Sequence, residues 1–200
     1  MDTKKRIIET ALKLFNSNGS YTVTTRHIAA EMNISPGNLY YHFGNKEEII
    51  RIILKGMIEE FNLFIRPAVY NPNLSGQFND AISHTGKIMY NYRFFFMELY
   101  TLLEKDPVLK RIYMKIKQER DADFRAIFQF LEQTGIIEEP VSDEEFAIIK
   151  ENAWTMAEFL LQSMYINRIK ITPENIIKKF TNIIYMIRPY LKKEFREFIK

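Results

Sequence analysis

The chain has 200 residues, 46% of them hydrophobic and 14% aromatic, with no cysteine and a formal net charge of +3. That apolar content supports a substantial core and excludes a disordered chain. The lack of cysteine excludes disulfides and thiol chemistry and fits a reducing cytoplasm. The mild positive charge admits nucleic acid as a partner without arguing for it. No run reaches the roughly 18 apolar residues of a membrane span, so no membrane role is expected. Glycine and proline are sparse, at seven each. Long periodic stretches dominate, and the class read from them is all-α.

The first predicted helix covers about Thr3 to Ser17. Ile7, Ile8, Ala11, Leu12 and Phe15 form its apolar stripe, and Asn18-Gly19 closes it with residues that tolerate the left-handed conformation. Lys4, Lys5 and Arg6 lie near its start, where they oppose the helix dipole; a nearby phosphate would offset that cost, as would simple solvation. Thr24 then caps a short helix from about Thr25 to Met32, with Ile28, Ala29 and Met32 on one face. Asn33-Ile34 makes a turn. Ser35-Pro36 restarts the chain, serine as N-cap and proline at the first helical position. Two short helices around a tight turn outline a helix-turn-helix.

At about 100° per residue, Leu39 and Phe43 must face the core. Gly37, Asn38 and Tyr41 then fall on the opposite side, flanked by Tyr40 and His42. A glycine inside so short a helix costs about 1 kcal/mol relative to alanine. Close approach of another backbone is one physical reason to keep it. The bland alternative is a small solvated helix with ordinary surface aromatics.

Asn45 caps a long helix, with Glu48 at its third position in an asparagine variant of the capping box. Its period runs through Ile49, Ile50, Ile53, Met57, Ile58, Phe61 and Phe64 to Arg66-Pro67, some 30 Å at 1.5 Å per residue. Asn71 to Gly76 reads as the clearest loop. Helical pattern resumes through Tyr90, and Tyr92-Arg93 opens a helix holding Phe94, Phe95, Phe96, Leu99 and Tyr100. Asp106-Pro107 starts the next, which runs to about Thr134 and ends at Gly135. Ser142 with Glu145 forms a capping box for a helix to about Asn167, and Thr172-Pro173 opens a last one, kinked or broken near Pro189.

The first 50 residues resemble the tetracycline-repressor (TetR) family of bacterial transcriptional regulators. The likeness rests on an amphipathic helix ending in Asn18-Gly19, on Thr24-Thr25 with Ile28-Ala29, and on Ile34-Ser35, Gly37, Leu39-Tyr40 and His42-Phe43, followed by Lys46-Glu47-Glu48. Pro36 departs from the pattern, standing where many relatives carry a basic or other polar residue. The resemblance implies an N-terminal three-helix helix-turn-helix DNA-binding domain over residues 1–46. It implies a C-terminal helical effector-binding and dimerisation domain over 47–200, with the helix from about 46 to 66 connecting the two. It implies a homodimer on a near-palindromic double-stranded operator, most often as a repressor released by a small apolar or amphipathic effector. An activator, or a regulator without a ligand, is the alternative within the family.

By the same resemblance Pro36, Gly37, Asn38 and Tyr41 meet or approach base edges, Asn38 being a geometric match for adenine. Thr25, Tyr40, His42 and Lys46 fall where relatives contact phosphate, and Ser35 completes the expected DNA-binding set. For the effector, the aromatic body offers Tyr90, Phe94, Tyr100, Phe124, Phe128 and Trp154, together with Glu158 and Gln162 one turn apart; Ser83 and His84 are weaker candidates. Aromatic residues at helical spacing are more often core than pocket, so both readings stand here. The last two long helices, about Ser142 to Asn167 and Pro173 to Arg188, are the expected dimer interface by analogy with the family. Residues 170–200 carry eight Lys/Arg against three Glu, a distribution that favours the terminal helix dipole and solubility.

Neither an enzyme nor a metal site is expected. His27, His42 and His84 are dispersed, and there is no thiol, glycine-rich phosphate loop or His-x-x-x-His pair, so no cofactor is assigned. A helical carrier of lipids or small molecules would use the aromatic body but leaves the Gly37-Asn38-Tyr41 face unexplained.

Overall fold

Side-chain caps set most helix boundaries in this chain. Asp2, Thr24, Ser35, Asp106, Ser142 and Thr172 each accept a backbone N–H from the first turn that follows. The computed structural model describes the backbone of residues 2–70 and 76–196, with side chains outside 64–79. Its helices are α1 (Thr3–Asn18), α2 (Thr25–Glu31), α3 (Pro36–His42), α4 (Lys46–Tyr70), α5 (Gly76–Asn91), α6 (Arg93–Met97), α7 (Leu99–Lys105), α8 (Pro107–Gln133), α9 (Asp143–Ile166) and α10 (Pro173–Ile184). Short 3-10 turns follow at Tyr185–Tyr190 and Lys193–Phe195. An isolated antiparallel bridge, Ile137 to Leu191, ties the end of the chain to the segment after α8. The all-α reading holds.

Several boundaries differ from the sequence reading. The helix expected from Tyr92 onward is two helices, interrupted at Glu98 (φ −111, ψ 11). The long helix passes Pro67 and continues to Tyr70, one missing N–H in a helix of 25 residues. Glu48 returns its side chain to the N–H of Gly44 (2.8 Å), one residue before the cap, while Asn45 Oδ1 accepts the Glu48 N–H (2.8 Å). The last helix tightens into 3-10 geometry at Tyr185, ahead of Pro189. The expected loop over Asn71–Ser75 and the side chain of Phe64 lie outside the described residues.

Three apolar clusters fill the interior. The largest runs from Ile7, Ala11 and Phe15 of α1 through Leu39, Phe43, Ile49 and Ile53 to Phe94, Phe95 and Leu109, so the first three helices share a core with α4 to α8. A second joins Phe128 and Leu131 to Phe146, Ile149 and Leu191, and a third joins Met89 to Leu160, Leu161, Met164 and Ile176. Between α5 and α10 the helices approach closely at Gly86, where a Cβ would lie 2.3 Å from Ile177 Cγ1. Only glycine admits that approach.

A partly buried ion pair joins α4 to the start of α8. Arg51 of α4 donates to both carboxylate oxygens of Asp106 (2.6 and 3.0 Å), which also caps α8 through the N–H groups of Val108 and Leu109 (2.9 and 3.1 Å). Burial pushes the Asp106 carboxyl up. The Arg51 guanidinium and the two backbone N–H groups outweigh that and hold it below its ordinary range. A depressed carboxyl adds stability that is complete above its unfolded-state pKa and fades as pH falls through the folded value. Asp106→Asn should therefore cost roughly 1–3 kcal/mol in urea unfolding at pH 7. The gap between wild type and variant should narrow below about pH 4.

Candidate nucleic-acid interface

α2 and α3 each have seven residues, too few to persist without tertiary support. Local chemistry fixes their ends. Thr24 Oγ1 accepts the His27 N–H and His27 Nδ1 accepts the Thr24 N–H, both at 3.3 Å. Asn33 adopts φ 54, the left-handed conformation asparagine tolerates better than most residues. The Ile34 N–H returns to Ala29 O (3.0 Å), and Ile34 packs against the core between the two helices. Ser35 Oγ accepts the Asn38 N–H (3.1 Å), with Pro36 as the first helical residue.

Burial of Leu39 and Phe43 then fixes the rotation of α3. Ser35, Pro36, Gly37, Asn38, Tyr40 and Tyr41 are all exposed, Tyr41 to 86%. The half-buried His42 ring meets Tyr41 edge-on at 5.2 Å. The side chain of Asn38 makes no hydrogen bond within the described residues. A Cβ on Gly37 would meet only Ser35 Oγ, at 3.9 Å. Nothing among the described residues explains the glycine. The exposed end of α3 is a polar, aromatic surface with open space above its backbone.

Beside it lies a shallow depression of about 230 Å³, lined by Thr24, Thr25, Tyr40, Gly44, Asn45 and Lys46. Thr25 Oγ1 and Tyr40 OH lie 3.1 Å apart across it, linking α2 to α3. It sits at the N-terminus of α4, where free N–H groups and the helix dipole favour an anion. Lys46 departs from the sequence reading. Its ammonium donates to the carbonyls of Ser20 (2.6 Å) and Val23 (3.0 Å), so two of its three N–H groups hold the α1–α2 turn. Rotation around a helix cannot show where so long a side chain folds back.

The eight residues expected at an effector site do not gather in one place. Tyr100 is 77% exposed on α7, which removes it from any interior lining. Phe94 packs on Phe15 with ring centroids 5.2 Å apart, in the core shared by α1 and α6. Phe128 packs on Phe146 (5.2 Å) in the second cluster, and Tyr90 carries the Arg93 guanidinium over its ring at 4.8 Å. For these residues aromatic spacing marks packing. Trp154, Glu158 and Gln162 stand on successive turns of α9, Trp154 beside Phe124 of α8 and Gln162 beside Phe96 of α6. The Phe124 and Trp154 rings are 6.3 Å apart, and Lys117 lies 5.1 Å over the indole. Glu158 accepts from Tyr113 OH (2.9 Å) and Lys117 Nζ (2.7 Å), while Gln162 Nε2 donates to Phe96 O (2.7 Å). Burial, then the Glu158 charge, push the Tyr113 phenol up, so it stays a donor. Trp154 Nε1 and Gln162 Oε1 are buried without a hydrogen-bond partner.

Comparison with known proteins decides the family. Residues 7–52 match the pattern described as "Bacterial regulatory proteins, tetR family", and residues 59–198 match that described as "Bacterial transcriptional repressor". The chain belongs to the TetR family of bacterial transcriptional regulators. It is 27% identical over 196 residues to IcaR of Staphylococcus aureus (strain Newman), covering 97% of this chain and 86% of that protein. With IcaR of Staphylococcus epidermidis it shares 31% over 104 residues, 52% of this chain and 55% of that protein. With HbdR of Aromatoleum sp. (strain CIB) it shares 37% over 60 residues, 30% of this chain and only 26% of that protein. Among solved structures, a TetR-family regulator from Marinobacter aquaeolei VT8 superposes with a TM-score of 0.89 at 29% identity, covering 100% of this chain and 96% of that one. PfmR of Thermus thermophilus shares the fold, with a TM-score of 0.66 at 19% identity over 92% of this chain and 96% of that one.

TetR-family proteins are DNA-binding regulators, which bears out the non-enzymatic reading. Among the described residues no helix is long and apolar enough to cross a membrane. Sequence reasoning missed Glu98, Ser20, Asn16 and the Arg51–Asp106 pair, because each joins residues at least 55 positions apart. Gly37→Ala tests whether the α3 glycine serves the fold. With open space at the Cβ, the substitution should raise stability by up to about 1 kcal/mol, seen as a higher melting temperature. A lower melting temperature would show that the glycine serves packing after all.

Proposed function

We propose that this TetR-family regulator is a ligand-responsive repressor whose homodimer reads a near-palindromic operator through α3. The observation carrying this reading is the exposed Gly37-Asn38-Tyr41 face, which no packing need of the chain explains. Asn38 presents a free carboxamide, able to bond adenine N6 and N7 in a major groove. Gly37 lets the α3 backbone approach the bases, and Pro36 and Tyr41 flank it. Thr25, Ser35, Tyr40 and His42 lie around the depression and helix ends, where phosphates would be held. Lys46 holds the α1–α2 turn and has one remaining N–H for the backbone of the DNA. Residues 1–46 form the reading unit and residues 47–200 the sensing and pairing unit. Repression is supported by the likeness to IcaR, which is described as a negative transcriptional regulator.

A second copy accounts for the exposed side of α9. Ile148, Met156, Phe159 and Ile166 are 41–65% exposed, and at about 100° per residue they fall on one face. α10, the other helix expected at the interface, packs beside it against α5 and α9. The effector seat is the constellation between α8 and α9, where Trp154 Nε1 offers a donor and Gln162 Oε1 an acceptor inside an aromatic lining. That suits an amphipathic molecule carrying both an acceptor and a donor. Trp154 is the single tryptophan of the chain, so its fluorescence reports on occupancy.

The test compares two variants on duplexes selected from random sequence. Asn38→Ala should relax base preference at one position in each half-site, by about 1–3 kcal/mol. Tyr40→Phe should weaken all duplexes alike and leave the preference intact. Identical effects of the two changes on the preference would refute this division of roles.

A further inference from the structure

Glu98 occupies the break between α6 and α7 and reaches back to the first turn of the chain. Its Oε1 accepts the backbone N–H of Ser20 (2.8 Å), and its Oε2 accepts the Ser20 hydroxyl. Ser20 is only 3% exposed. On the other side of the same turn, Lys46 holds the carbonyls of Ser20 and Val23. The α1–α2 turn is therefore gripped twice, by a carboxylate from the body and by an ammonium at the start of α4. Gly19 makes this possible. It adopts φ 77, and a Cβ there would lie 2.9 Å from Glu98 Oε1. Any side chain is disfavoured by conformation and by the carboxylate together.

Neighbouring contacts already hold the two parts together without Glu98. Phe15 packs on Phe94, and Asn16 donates to Asn91 O (2.5 Å) while accepting the Phe94 N–H (3.1 Å). The apolar core is continuous from α1 to α8. Apolar burial is non-directional, whereas a charge-assisted pair of hydrogen bonds fixes an angle. The residue that fixes it stands where the helix is interrupted, and such element ends absorb backbone rotation readily.

We propose that Glu98 and Ser20 form a positioning clasp that sets the angle of the α2–α3 pair against the body. A change at the α6–α7 break reaches the reading helix through the α1–α2 turn, in addition to any movement of α4. Glu98 is a positioning residue and touches no DNA. The clasp rests on the DNA-binding reading above, and its test separates the two.

The full-length chain is titrated with a duplex selected by the wild type from random sequence, and with the same duplex after one half-site is scrambled. A misangled head loses the gain from engaging both half-sites at once but keeps its own contacts. Glu98→Ala should lose about tenfold or more on the two-site duplex and stay within about twofold on the single-site duplex. Ser20→Ala, which removes the hydroxyl bond and keeps the backbone one, should lose less on the two-site duplex, and the double variant should be no worse than Glu98→Ala. Glu98→Gln, which keeps an acceptor for the Ser20 N–H, should recover most of the loss. Equal loss on both duplexes, additive effects, or no loss would overturn the clasp.

A DNA-free measurement decides it independently. The chain lacks cysteine, so spin labels at Glu31→Cys on α2 and Glu104→Cys on α7, diluted in unlabelled chain, report the head-to-body distance. Glu98→Ala should broaden or shift that distribution, and an unchanged one overturns the proposal. If the wild type selects no duplex, the DNA reading fails while the distance still tests the clasp.

Discussion

Everything at the reading end of this protein depends on the burial of two side chains, Leu39 and Phe43. A helix of seven residues has no stability of its own in water. It persists here because Ser35 and Pro36 start it and because Leu39 and Phe43 anchor it in the core shared with α1, α2 and α4. The two anchors are one turn apart, so they leave the helix no rotational freedom. Asn38 and Tyr41 point outward as a geometric consequence. The core specifies which face of α3 is exposed by excluding every other rotation.

The same economy holds at the base of the body. α6, α7 and α8 follow one another through two breaks, and each break carries an acid aimed at a different partner. Glu98 takes the α1–α2 turn, and Asp106 takes Arg51 of α4 while capping α8. Two of the head's connections to the body, the α1–α2 turn and the α4 shaft, are thus held from this one short stretch. Under the proposed function, a displacement of α6 and α7 by an effector beside Gln162, whose amide is bonded to Phe96 O, would act on both connections together. That arrangement supplies a physical route for coupling between separate sites.

Local signals are legible in the sequence and distant ones are not. The caps at Thr24, Ser35, Asp106, Ser142 and Thr172 can be read from residue type and spacing, because each bond spans two or three residues. The exposed face of α3 follows from rotation alone. Glu98 gives no such signal, because a helix break without proline or glycine leaves no local mark, and its partner lies 78 residues away. Lys46 reads only as a phosphate contact by resemblance, since nothing in its neighbours shows that two carbonyls of a preceding turn attract it. The aromatic body is the least legible part. Phe94 and Phe128 look the same in sequence as Phe124 and Trp154. Only packing separates the rings that fill clusters from the indole whose N–H is left without a partner.

The central claim is that α3 reads base edges in a major groove. Methylation interference at guanine N7, an atom of the major-groove edge, tests it most directly on a duplex selected by the full chain. The account predicts two interfering patches on one face of the duplex, centred about one helical turn apart or a multiple of it. Replacing adenine by 7-deazaadenine at one position of each half-site should weaken the wild type and leave Asn38→Ala unaffected. Binding unaffected by N7 methylation anywhere in the selected site would contradict it.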